Sequence, residues 1–153
     1  MESIKLDTRG QPPIDLRWLA GYMDGEAYFG VNANRGIVIS IANTHKPSLD
    51  YIQSALGGAV YAHNKTKTSL KPHWRPQYRW QILGKRAAEV SQLVLPYLHE
   101  KKEQAKLLVQ YYDLGYGRSV VKNITPELKQ RRAEIKEEIT RLKHIAFSKR
   151  RTN

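Results

Sequence analysis

The chain has 153 residues, with 26 Lys+Arg against 14 Asp+Glu, a net charge of +12 and a pI near 10.0. The absence of cysteine excludes a disulfide framework, a thiolate zinc site and a cysteine nucleophile. A hydrophobic fraction of 41% supports a folded domain over wholesale disorder, and the charge points to a polyanionic partner, most often nucleic acid.

Residues 1–14 show no clear period, carry Gly10, Pro12 and Pro13, and read as a mobile arm. Met1–Pro13 lacks a secretory apolar segment, and no apolar run approaches the roughly 20 residues of a membrane span. An intracellular protein with no membrane partner is expected, in an organelle or in a prokaryotic or phage host. Residues 15–153 read as one domain, with a core over 15–112 and a helical extension over 118–147.

Asp15 can cap a helix running to about Gly25, with Leu16, Leu19, Ala20 and Met23 as its apolar positions. Tyr28–Ala33 and Gly36–Ala42 are short β-prone runs joined by a turn at Asn34-Arg35-Gly36. Pro47 starts a second helix with Leu49, Ile52 and Leu56 on its apolar side, and Gly57-Gly58 stops it. Ala59–Asn64 reads as a third strand and Lys65–His73 as a basic loop. Tyr78–Ile82 alternates large apolar with polar residues as a fourth strand. Helices follow over Lys85–Leu95 and from about Glu100 to Tyr112. Thr125-Pro126-Glu127 opens a last helix with an apolar stripe at Leu128, Ile135, Ile139, Leu142 and Ala146. The order α-β-β-α-β-β-α plus further helices makes an α/β (α+β) domain. Helices cover one face of a four-stranded antiparallel sheet and leave the other to a ligand.

The charge is segregated. Between Ala27 and Ala88 stand Arg35, Lys46, Lys65, Lys67, Lys71, Arg75, Arg79, Lys85 and Arg86, with Asp50 the only acid. Such a pattern marks a dedicated binding surface. Within Leu19–Glu26, Gly21 and Gly25 lie on one side of a helix, where each glycine costs about 1 kcal/mol relative to alanine. Close approach of another backbone gives a reason for both. Asp24 and Glu26 sit where the helix dipole disfavours negative charge, which a bound cation would reverse. These two oddities alone equally fit a frayed helix end with solvated acids.

The stretch Leu19–Ala27 resembles the motif of the LAGLIDADG homing endonucleases, in the class with one motif per chain. Tyr22-Met23 replace its two middle apolar residues, Gly25 its alanine, Glu26 its second aspartate and Ala27 its final glycine. The likeness continues through Ile39–Thr44, Leu49–Ile52, Gly57-Gly58, Tyr78–Ile82 and Leu95–Leu98 with Lys101 and Gln104-Ala105, covering roughly residues 15–112. The resemblance implies a LAGLIDADG-type αββαββα domain with a saddle-shaped sheet plus C-terminal helices. It implies a homodimer joined at the motif helix through Ala20, Gly21, Asp24 and Gly25. It further implies a metal, magnesium, on Glu26 and the Gly25 carbonyl, with Asn43 positioning water and Lys101 near the scissile phosphate. A metal polarising phosphate and activating water is what phosphodiester hydrolysis needs.

With the sheet in the major groove of double-stranded DNA, strand alternation nominates Tyr28, Asn32, Asn34, Arg35, Ser40, Tyr61, His63, Arg75, Arg79 and Gln81 as groove-facing. Lys65, from the loop, is nominated for phosphate. The expected activity is a metal-dependent double-strand break in a long pseudo-palindromic target. A cleavage-deficient, intron-encoded maturase or a DNA- or RNA-binding protein on the same fold, with intron RNA as partner, is the alternative. A basic ribosome-associated protein is a second. The five histidines have no paired metal-ligand spacing and read as surface or DNA-contacting residues. Trp80 and Tyr78 read as core and Trp74 as exposed, and Lys149–Arg151 as a solvated tail or a phosphate contact.

Overall fold

The computed structural model describes residues 13–32, 36–62, 75–115 and 125–149, the last four of these by backbone alone. Helix α1 (Leu16–Glu26) begins where the Asp15 carboxylate accepts the N–H groups of Arg17 at 2.8 Å and Trp18 at 3.2 Å. That cap satisfies two of the donors a helix start leaves orphaned. Leu19, Ala20 and Met23 then turn inward. The chain passes without a loop into β1 (Ala27–Asn32), followed by β2 (Gly36–Asn43), α2 (Lys46–Leu56), β3 (Ala59–Ala62) and β4 (Tyr78–Leu83). Next come α3 (Gly84–Val94), a single 3-10 turn at Leu95–Tyr97, α4 (Lys102–Asp113) and α5 (Pro126–Lys149).

The expected order of elements is the observed one, with shifted ends. The helix after the fourth strand starts at Gly84 and stops at Val94, because Pro96 tightens the next turn. The following helix starts at Lys102, two residues later than expected, because residues before it are held by a side chain of α1 described below. The arm over 1–12, Asn34, Arg35, His63, Lys65 and Trp74 lie outside the described residues.

The sheet runs β1-β2-β4-β3 and is antiparallel throughout. Cα partners Phe29↔Ile39, Ile39↔Ile82 and Ile41↔Trp80 put the large apolar residues on one face, where they join the helices in the core. Trp80 is fully buried and its indole N–H donates to the Gly57 carbonyl at 2.9 Å. Gly57 and Gly58 have φ of 79° and 86°, and a Cβ on Gly58 would collide with the Gln81 carbonyl oxygen. Only glycine turns the chain here so close to its neighbour. α5 opens on the Thr125 hydroxyl, which accepts the Leu128 N–H at 3.3 Å. It buries Ile135 and Ile139 and packs on α4 and β1. Leu128 and Leu142 are half-buried on the same stripe. Among the described residues, no helix is long and apolar enough to cross a membrane.

Candidate functional site

The last turn of α1 gathers the expected chemistry. Met23 is buried, Asp24 half-buried, and Gly25 and Glu26 exposed. Both Asp24 oxygens accept main-chain N–H groups, from His99 at 2.8 Å and Lys101 at 3.0 Å. Lys101 in turn donates its ammonium to the Met23 carbonyl at 3.1 Å, placing a cation at the negative end of the helix. The two acids therefore differ. Asp24 is satisfied by its own chain and needs no metal. Glu26 makes no hydrogen bond or ion pair among the described residues.

An exposed carboxylate beside main-chain carbonyls is a hard oxygen donor set, which suits magnesium or calcium. Among the described residues no group of three or more His, Cys, Asp or Glu side chains gathers. Of the groups at this helix end, the Glu26 carboxylate and the Gly25 carbonyl could serve as two oxygen donors to such an ion.

Asn43 closes β2 with both ends of its amide engaged. Its Nδ2 donates to the Tyr22 hydroxyl at 2.9 Å, and its Oδ1 accepts the His45 N–H at 2.9 Å. Tyr22 also bonds Ser48, whose Oγ lies 2.7 Å from His45 Nδ1. Burial pushes the Tyr22 hydroxyl above its ordinary pKa of 10.0, the Ser48 bond opposes this, and the nearby Glu26 charge adds to it. Sequence reasoning passed over Tyr22 and Ser48. The available signal was position: Tyr22 stands one turn before Glu26, hence on the same helix face.

The opposite face of the sheet carries the nominated readers. Tyr28 faces Ser40, Ser40 faces Gln81, Arg79 faces Tyr61, and Asn32 faces Gly36. Partners directly across an antiparallel ladder share a side, so Tyr28, Asn32, Ser40, Tyr61, Arg79 and Gln81 lie together, away from Phe29, Ile39 and Trp80. Arg75 is exposed just before β4. Ser40 departs from expectation, since neighbouring side chains screen it to 4% exposure. The Tyr61 hydroxyl donates to Gln81 Oε1 at 3.2 Å.

On the outward face of α1, a Cβ at Gly21 or Gly25 would meet nothing within 4 Å among the described residues. Nothing among those residues asks for glycine at either place. Two residues expected at this face are elsewhere. Ala20 is fully buried beside Leu19 and Met23, and Asp24 is turned to its own 99–101 segment. The helical period carries both around to the inner side.

No protein-family model matches the sequence, and no curated protein matches it. Solved structures do match. The homing endonuclease I-CvuI in complex with its target, in the presence of calcium, superposes with a TM-score of 0.64 at 20% identity, over 83% of this chain and 80% of that one. The archaeal intron-encoded homing endonuclease I-Vdi141I, complexed with DNA, gives 0.63 at 14% identity, over 83% and 82%. The homing endonuclease I-TnaI gives 0.59 at 17% identity, over 88% and 97%. The five helices and four-stranded antiparallel sheet among the described residues are thus the fold of the LAGLIDADG homing endonucleases.

Proposed function

We propose that this chain is a homodimeric, magnesium-dependent endonuclease of the homing type, cutting both strands of a long pseudo-palindromic DNA target. The carrying observation is the end of α1, where Glu26 is exposed and the glycines at 21 and 25 of the same helix answer to nothing among the described residues. A second copy meeting that helix through its own α1 gives the glycines a purpose, because two helix backbones can then approach below the usual spacing of about 8–10 Å. The contact is isologous, residue against its own equivalent, which makes the recognised DNA two-fold symmetric. It brings two Glu26 carboxylates near one axis, where they repel unless cations lie between them.

Glu26 and the Gly25 carbonyl would hold the divalent metal, which when bound polarises a phosphate oxygen and lowers the pKa of water. The other roles belong to the chain. Lys101, fixed at the helix end by Met23 and by Asp24, supplies positive charge for the phosphate. Asn43, held by Tyr22 and His45, orients water at the end of β2. The outer sheet face, with Asn32, Tyr61, Arg79 and Gln81, enters the major groove, where side chains can tell all four base pairs apart. The DNA complexes of proteins with this fold support the reading.

Selection of bound duplexes from a randomised library, followed by incubation of the recovered duplex with magnesium or with a chelator, tests it. Both strands should be cut with magnesium and neither with chelator. Specific binding with no cleavage would assign the chain to the maturase or regulator class, and no binding to duplex DNA would overturn the reading.

A further inference from the structure

Tyr28 and Lys143 meet beside the sheet face that the helices leave open. Tyr28 stands in β1 two residues after Glu26, opposite Ser40 on the outer face. Its side chain folds along its own strand, so that its hydroxyl occupies the space where a Cβ on Gly30 would stand. From α5, Lys143 brings its ammonium to 4.5 Å from the centroid of the Tyr28 ring. The face of an aromatic ring attracts a cation at this range. Burial of Ile135 and Ile139, at 1% and 4% exposure, fixes α5 in that place.

The arginines of α5 are otherwise engaged. Arg131 pairs with Glu134 at 3.3 Å, Arg141 pairs with Glu138, and Arg132 donates to the Gly115 carbonyl at 2.8 Å. Lys143 has no carboxylate partner among the described residues, and the ring beneath it leaves its N–H donors available. An ammonium so held over the ring of Tyr28, two residues beyond the end of α1, suits a phosphate oxygen of duplex DNA.

We propose that α5 is part of the DNA interface: Lys143 binds a backbone phosphate near the centre of the target, and Tyr28 is its positioning residue, not a reader of bases. This rests on the DNA-binding reading above. Phosphate contacts carry no sequence information and reveal themselves through counterion release, about 0.9 in the log–log salt slope for each. A dimer using two such contacts would lose about 1.8 when both are removed.

The experiment measures binding at several salt concentrations to two duplexes, one recovered by selection and one of unrelated sequence, with circular dichroism to check folding. Lys143→Met and Tyr28→Leu should each weaken both duplexes by the same factor, roughly tenfold or more at about 0.1 M salt, and flatten the slope by about 1.8. Tyr28→Phe keeps the ring and should restore what Tyr28→Leu loses. Lys129→Met, about four turns away on α5, should leave binding unchanged. A wild-type salt slope in Lys143→Met, with the parent protein binding normally, would overturn the proposal alone. So would a loss in Tyr28→Phe confined to the selected duplex, which would make the hydroxyl a base reader. Absence of binding by the parent protein would overturn the DNA reading itself.

Discussion

Asp24 and Lys101 hold each other through opposite ends: the Asp24 carboxylate accepts the Lys101 main-chain N–H at 3.0 Å, and the Lys101 ammonium returns to the carbonyl of Met23, the residue before Asp24, at 3.1 Å. The 99–101 segment is thereby clasped onto the last turn of α1, and a lysine far away in sequence is set at the end of that helix. Asp24→Ala leaves the His99 and Lys101 N–H groups without their acceptor, at an expected cost of about 1–3 kcal/mol. Urea unfolding should show that loss, and cleavage should fall more than stability explains, because Lys101 loses its anchor. Unchanged stability would show that the clasp is not formed in solution.

Tyr22→Phe removes the hydroxyl that binds Asn43 Nδ2 and Ser48, and should cost about 0.5–1.5 kcal/mol at neutral pH. It should also change the alkaline limb. The Tyr22 pKa is raised by folding, so the unfolded chain loses this proton first. The stability it contributes is whole below pH 10.0 and falls as pH rises from there through the folded value. Parent and variant should therefore converge in stability above about pH 10. Parallel curves would place Tyr22 in contact with water.

Arg79→Ala should relax preference at one or two base pairs per half-site, at about 1–3 kcal/mol each. Binding selection repeated with the variant measures this. Arg79 faces Tyr61 across the ladder and Ala42 on the other side, all on the outer surface. An equal loss on every sequence would mean that β4 meets only phosphate.

Much of this arrangement is legible in the residues, and the reason is periodicity. Isoleucines at 37, 39 and 41 and the Trp80–Ile82 pair fix which face is buried, so the side of Arg79 and Gln81 follows with no knowledge of the fold. Caps at Asp15 and Thr125 are equally local. What escapes is set by distant contacts. The role of Asp24 depends on N–H groups 75 and 77 residues away, and Tyr22 becomes polar-linked only once β2 and α2 fold beside it. Ala20 fails for a simpler cause: in a helix with apolar positions at 19, 20 and 23, the buried arc includes it, and the open arc is left to the glycines.

Gly21→Leu should leave the fold of one chain intact, because the added side chain meets open space, and should break the dimer, because bulk enters the seam twice. Sedimentation should find a folded monomer with weak half-site binding. A stable dimer cutting both strands would place the subunit contact elsewhere.

Glu26→Gln is the most direct test, since it removes charge from the one acid at the end of α1 that its own chain leaves without a partner among the described residues. Single-turnover cleavage of the selected duplex in magnesium, measured beside binding of the same duplex, should show cleavage abolished and affinity close to that of the parent. Cleavage at the parent rate would contradict the assignment of Glu26 as the metal-binding acid, and with it the mechanism built on this helix end.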